Sequence, residues 1–184
     1  SISYNAFNGS TFETVTLPAT PPTVTLGFST ATTFLVPAES LAAYRNNEYW
    51  SDFKTRILSK DATYTWEVAA PVLTSIGADQ FENVMTLKVS GNIDSDDIMY
   101  MRNKMLNLHH LDLTNATIVA SDKEYYSGRR TNDNSVGGFF NMVRLRTVKL
   151  PPSAKQIEND AFLGCSNLYE VTIPEGIDLI NSAS

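Results

Sequence analysis

Cysteine is almost absent from this sequence. Cys165 is the one copy in 184 residues, so no intrachain disulfide can form, and no thiolate pair or quartet exists to hold a structural zinc. Histidine is nearly as scarce, with His109 and His110 as its two copies. Neighbours on a strand face opposite ways, so these two are expected to share neither a metal nor a proton relay. Positive charge is in deficit: 14 Lys and Arg against 20 Asp and Glu give a net charge of -6, which supplies no basic footprint for nucleic acid. Long apolar runs are missing too. Nothing approaches the roughly 18 to 20 residues that a membrane helix needs. The opening Ser1-Ile2-Ser3-Tyr4 has no basic region followed by an apolar core, so these residues do not read as a signal peptide. With 42% hydrophobic residues, the chain can still build one ordinary domain or two small ones.

What is present is an internal repeat. Phe139, Leu145, Val148, Leu150 and Pro151 recur as Phe162, Leu168, Val171, Ile173 and Pro174, a spacing of about 23 residues, inside the range for leucine-rich repeats. The same register carries Ile157 onto Ile180. A third copy opens the chain, where Ile2, Ala6, Phe7, Gly9, Phe12, Val15, Leu17 and Pro18 align with residues 157–174 after a one-residue gap. Two weaker copies, residues 83–89 and 107–113, keep the L-x-x-L-x-L spacing. In that spacing the last apolar residues alternate to one side of a short strand and the first packs beneath them. A lone unit leaves its apolar face uncovered, whereas parallel stacking buries the faces in one core. Pro18, Pro151 and Pro174 end the ladder by removing a donor. The first and last units read as incomplete, as if the array ran on at both ends.

The middle breaks the regularity. Residues 34–53 read as a strand, Pro37, and a helix opened by Glu39 or Ser40 that turns Leu41, Tyr44, Trp50 and Phe53 to one side, in the manner of the caps that repeat arrays need. Residues 59–72 are polar, then small and apolar, as in a linker, with Trp66 a packing residue inside it. A second helix is expected over 95–106, capped by Asp94, with Ile98, Met101, Met105 and Leu106 on its buried side. Asp94, Asp96 and Asp97 lack the alternation and distal Glu of a calcium loop and read as helix-capping charges. Cys165 occupies a small apolar slot of the repeat.

These residues resemble the BspA-like leucine-rich-repeat family of bacterial surface proteins, whose pattern I-x-x-x-A-F-x-x-C-x-x-L-x-x-V-x-I-P is met by residues 157–174. Two further segments look like the Bacteroides-type members: V-P-A-x-S-L-x-A-Y with W-x-D-F at 36–53, and L-x-V-S-G-N-I followed by N-L-x-x-L-D-L-T-N-A-T-I-V-A at 87–120. The first repeat departs from the pattern with Ser10 in place of cysteine, and residues 119–136 are longer than the repeat allows. The resemblance implies an extracellular or outer-surface protein with an adhesive role and no catalytic residues.

The expected fold is therefore an α/β repeat solenoid, with short parallel strands, turns and short capping helices. Residues 1–58 would be the end and cap of a first array, 59–69 a linker, and 70–184 the cap and first repeats of a second. The repeat register points Thr86 and Lys88, His110 and Asp112, Thr147 and Lys149, and Glu170 and Thr172 out of the sheet, the usual contact face of such arrays. The same spacing makes Lys88, Asp112 and Lys149 lateral neighbours that pair with one another on a solvated surface. The insert over 121–135 adds Tyr125, Tyr126, Arg129 and Arg130, residue types enriched at binding hot spots. The expected function is a non-enzymatic binding or adhesion module for a protein or glycan, host matrix and other bacterial surfaces among them, with no cofactor and no metal. The competing expectation is an architectural spacer without a ligand.

Overall fold

The computed structural model describes residues 1–3, 6–7, 9–24, 28–29, 31–62 and 64–182. The chain divides into two compact units, Ser1–Thr63 and Tyr64–Ser184.

In the first unit, β1 (Thr14–Thr16), β2 (Thr33–Val36) and β3 (Ile57–Ser59) form a parallel sheet in that order. Leu17 N–H extends the ladder to Leu35 O at 2.8 Å, after which Pro18 has no donor to continue it. The helix expected after Pro37 is three short turns: a 3-10 turn at Ala38–Ser40, α1 (Leu41–Arg45) and a 3-10 segment at Ser51–Arg56. Asn47 breaks the helix between them by accepting the Tyr49 N–H at 2.9 Å, the local bond that draws Asn into turns. The expected inner side holds: Tyr44, Trp50 and Phe53 are buried with Phe34 and Ile57, and Leu41 packs against them. Each polar tip in this cluster is satisfied, Tyr44 Oη by Pro18 O at 2.7 Å and Trp50 Nε1 by Pro22 O at 2.6 Å, as burial of amphipathic rings requires.

The second unit carries a five-stranded parallel sheet built from β4 (Thr65–Ala69), β5 (Thr86–Ile93), β6 (His110–Ile118), β8 (Thr147–Lys149) and β10 (Glu170–Thr172), running β10-β8-β6-β5-β4. A second parallel ladder joins β7 (Ser135–Val136), β9 (Gln156–Ile157) and β11 (Leu179–Ile180) in the order β11-β9-β7. The repeat register is visible in both ladders: Val148 pairs Val171, and Ile157 pairs Ile180. This is a repeat fold with parallel strands. Its turns agree, since Gly9, Asn141 and Gly164 hold the same repeat position with φ of 78°, 61° and 76°, a conformation open chiefly to Gly and Asn.

Residues 59–69 and 119–136 both differ from expectation. The stretch read as a linker, 59–69, is largely strand: Ser59 ends β3, and β4 is paired with β5 from Thr65↔Thr86 to Ala69↔Ser90. The strand alternates, with Trp66, Val68 and Ala70 facing the core and Thr65, Glu67 and Ala69 facing out. The inserted stretch 119–136 is also shorter than expected at its end, as Ser135 and Val136 belong to β7.

The core under the large sheet is continuous from Val72 and Ile76 in the segment after β4, through Leu87, Leu111 and Val148, to Ala161 and Cys165. Between β4 and β5 lie α2 (Val72–Ser75) and a 3-10 segment, Ala78–Asn83. α3 (Ser95–Lys104) has the expected cap, with Asp94 and Asp97 forming a reciprocal capping box. Asp97 also accepts the Val72 N–H at 2.5 Å and so ties α3 to the start of α2. The helix stops two residues early. Met105 leaves helical geometry, which sends Met105 and Leu108 into the core and leaves Leu106 half-exposed.

Candidate functional site

The outward face of the large sheet brings all eight register residues together. One row runs Thr65, Thr86, His110, Thr147, Glu170 and the next Glu67, Lys88, Asp112, Lys149, Thr172. Thr65 and Glu67 extend both rows and were hidden by the linker reading, although their period-two alternation was there to be seen. Charges alternate in sign along the second row, giving Lys149 to Asp112 at 3.5 Å and Lys88 to Glu67 at 3.8 Å. In the first row His110 Nδ1 lies 2.9 Å from Thr147 Oγ1. His109, one residue earlier, is fully buried, so the two histidines do face apart.

Asp112 anchors this face. After Lys88↔Asp112 the register shifts to Ser90↔Asn115, and the extra residue of this bulge is held by Asp112, whose Oδ1 accepts both Thr114 N–H at 3.0 Å and Thr114 Oγ1 at 2.6 Å. Partial burial raises the Asp112 pKa, but these bonds and the Lys149 charge outweigh it and hold the carboxyl below its ordinary value. Between the rows lies a shallow depression of about 230 Å³ bounded by Lys88, His110, Thr147 and Lys149.

The 121–134 loop forms a separate surface, and it is pinned rather than loose. Tyr126 and Arg129 close a tight antiparallel turn with Gly128 at φ 69°. Arg129 bonds Asp160 at 2.8 Å, Arg130 reaches Glu124 at 3.4 Å, and Lys123 pairs with Asp96. Thr131 is buried, its N–H donating to Ser95 Oγ at 3.0 Å.

Tyr125, expected at a partner contact, is 3% exposed. Its hydroxyl donates to Glu158 Oε2 at 2.9 Å, and its carbonyl accepts from Arg102 Nη2 at 2.6 Å. It is thus an anchor of the loop, unavailable to a partner. Close approach to Gly138, at φ 85° with no side chain, makes room for its ring. Tyr126 is the opposite case: 57% exposed, its ring stands edge-on to Phe140 at 5.1 Å, and Phe140 in turn carries the Arg102 guanidinium at 4.3 Å.

Between this loop and β9 and β11 runs a polar trough of about 520 Å³. Arg129, Arg130 and Asn132 form one wall, and Gln156, Glu158 and Asn181 line the other side. No sequence pattern marked Gln156, Glu158 or Asn181, because the trough exists only where the loop folds back over the smaller ladder.

Cys165 is buried, with Sγ 3.1 Å from Phe139 O, and burial raises its thiol pKa. Among the described residues no three His, Cys, Asp or Glu side chains are grouped to hold a metal ion, and no helix is long and apolar enough to cross a membrane.

Comparison with known proteins agrees with the repeat geometry. The family model described as BspA type leucine rich repeat region (6 copies) matches residues 133–184, the stretch that contains β7 through β11. None of the curated proteins matches the chain. The match falls on the units whose strands pair 23 residues apart in both ladders, and with that agreement residues 133–184 are a BspA-type leucine-rich-repeat region.

Proposed function

We propose that this chain is a non-enzymatic binding module of an extracellular or outer-surface protein, a stretch of leucine-rich-repeat solenoid that presents the outward face of its large sheet to a protein partner. The observation that carries the reading is the double row on β4, β5, β6, β8 and β10, in which charged and hydroxyl side chains stand in register on a rigid support. Alternating charge of this kind steers and orients a protein partner more than it strengthens the final complex. Lys88 and Lys149 are the cations, Asp112 and Glu67 the anions, and His110 and Thr147 a hydrogen-bonding pair.

Leu145, Val148, Leu150 and Ile157 are buried, whereas their repeat equivalents Leu168, Val171, Ile173 and Ile180 are half-buried or exposed. The cap-like aromatic cluster of the first unit and the capped α3 of the second fit the end of one array followed by the start of another.

A spacer role is the second reading, favoured by the two ion pairs, which satisfy much of the row internally. Binding of the chain to immobilised host-matrix proteins and to intact bacterial surfaces, measured for wild type and for Lys88→Glu with Lys149→Glu, separates the two. A binding surface predicts that the double variant lowers the association rate by about tenfold or more. No signal from either protein would favour the spacer, and equal signals from both would put the contact away from this face.

A further inference from the structure

We propose that the trough between the 126–130 turn and strands β9 and β11 binds a short, neutral oligosaccharide, with Tyr126 as the platform for one sugar ring. This site is distinct from the sheet face in both position and chemistry, and neither assignment depends on the other.

The chemistry of the lining selects the ligand class. Gln156, Asn159 and Asn132 offer planar amides, each a donor beside an acceptor, and Glu158 and Arg129 offer planar forks. Neighbouring hydroxyls on a sugar ring present the matching pairs. The trough is lined by polar side chains and mostly polar surface, so a hydrophobic ligand would gain less from burial there than a polar one.

Charge balance then selects among sugars. Arg129 is engaged by Asp160 and Arg130 by Glu124, and Glu158 adds a further negative charge. Two cations thus face three carboxylates, and a uronate or sulfated chain would meet no net positive field. A neutral chain needs none.

An aromatic platform stands beside the trough. A second depression, about 170 Å³, is lined by Tyr126, Phe140 and Leu163 and shares Arg129 with the first. Tyr126 is exposed but braced by Phe140 beneath it, so a ring stacked on it would immobilise little that is not already held. The trough's 520 Å³ falls within the roughly 300 to 1,000 Å³ of small-molecule sites, room for a few sugar rings.

Preorganisation is the remaining requirement, because ordering a loop on binding consumes affinity. Here the loop is fixed before any ligand arrives: Tyr125 to Glu158, Arg102 to the Tyr125 carbonyl, Thr131 to Ser95 and Arg129 to Asp160. Glu158 is held in turn by Ser135 Oγ, to which Gln156 Nε2 donates at 2.8 Å.

The test is isothermal titration calorimetry of the full chain with cellotriose, maltotriose, mannotriose and triacetylchitotriose, and with trigalacturonate, a heparin hexasaccharide and an acidic peptide as the charged set. Saturable binding of at least one neutral trisaccharide is expected, weakened about tenfold or more by Tyr126→Ala and by Gln156→Ala, and unchanged by Lys149→Glu on the sheet face. Tyr126 is exposed, so its loss leaves the fold intact, which far-ultraviolet circular dichroism verifies. The proposal is overturned if no neutral sugar binds, if only charged probes bind, or if binding survives both substitutions.

Discussion

Replacing Tyr125 by Phe removes a single hydroxyl from the joint between the loop and the repeats. The ring keeps its place against Gly138, and the lost contact is the 2.9 Å bond to Glu158. A hydrogen bond to a charged group contributes about 1.5–3 kcal/mol. Glu158 retains Ser135 and is only half-buried, so water can partly replace the hydroxyl and the lower end, about 1.5 kcal/mol, applies. With a urea dependence of about 1–3 kcal/mol per molar, the unfolding midpoint of the second unit should fall by about 0.5–1.5 M with an unchanged slope. pH provides an independent check. Burial first, then the adjacent Glu158 carboxylate, raises the Tyr125 pKa above its ordinary 10.0, so the folded protein holds the phenolic proton more firmly than the unfolded chain does. That stabilisation is complete below pH ~10 and is lost as pH rises toward the folded value. The substituted phenylalanine cannot titrate, so the gap between wild type and Tyr125→Phe should narrow above pH ~10. Tyr44, whose pKa burial also raises, is common to both proteins and cancels. Equal midpoints at neutral pH, or a gap that widens in alkali, would refute the reasoning.

Gly164→Ala places a side chain at φ 76° beside Asn141 and should destabilise the second unit by about 1–2 kcal/mol, read as a lower thermal midpoint; Asn141→Gly, at the equivalent turn, should show no comparable loss. Lys149→Ala removes a charge that depresses the Asp112 pKa, so a carboxyl titration by NMR should show that pKa rise. The pair's contribution, below about 1 kcal/mol on an exposed face, should be present above the unfolded carboxylate pKa and vanish as pH falls through the folded one; no change in the Asp112 titration would remove Lys149 from the account. The Cys165 thiol, buried and with its pKa raised, should react slowly with a disulfide reagent in the native protein and rapidly in denaturant, and fast native labelling would contradict its packing against Phe139.

The repeat was legible because it is written in local chemistry. Leu, Val and Ile at fixed intervals determine which way each short strand faces, and Pro151 and Pro174 determine where it can stop, without reference to the rest of the chain. Asp94 as a cap was equally local, its bonds reaching only two and three residues onward. The Thr65–Ala69 strand was misread because Thr, Trp, Glu, Val and Ala alternate without the leucines of the other units. What makes it a strand is the edge of β5, whose backbone groups need a partner.

The candidate sites divide in the same way. That Thr86, Lys88, His110, Asp112, Thr147, Lys149, Glu170 and Thr172 would share one face follows from sequence periodicity alone, since a period of two leaves no other side for them. That Tyr125 is an anchor and Tyr126 a surface residue could not follow from two adjacent tyrosines in a polar loop. Arg102, Gly138 and Glu158, which are distant in the chain, decided between them. The trough is likewise tertiary in origin, because its two sides come from segments more than twenty residues apart, and only the fold brings their amides and carboxylates within reach of one ligand.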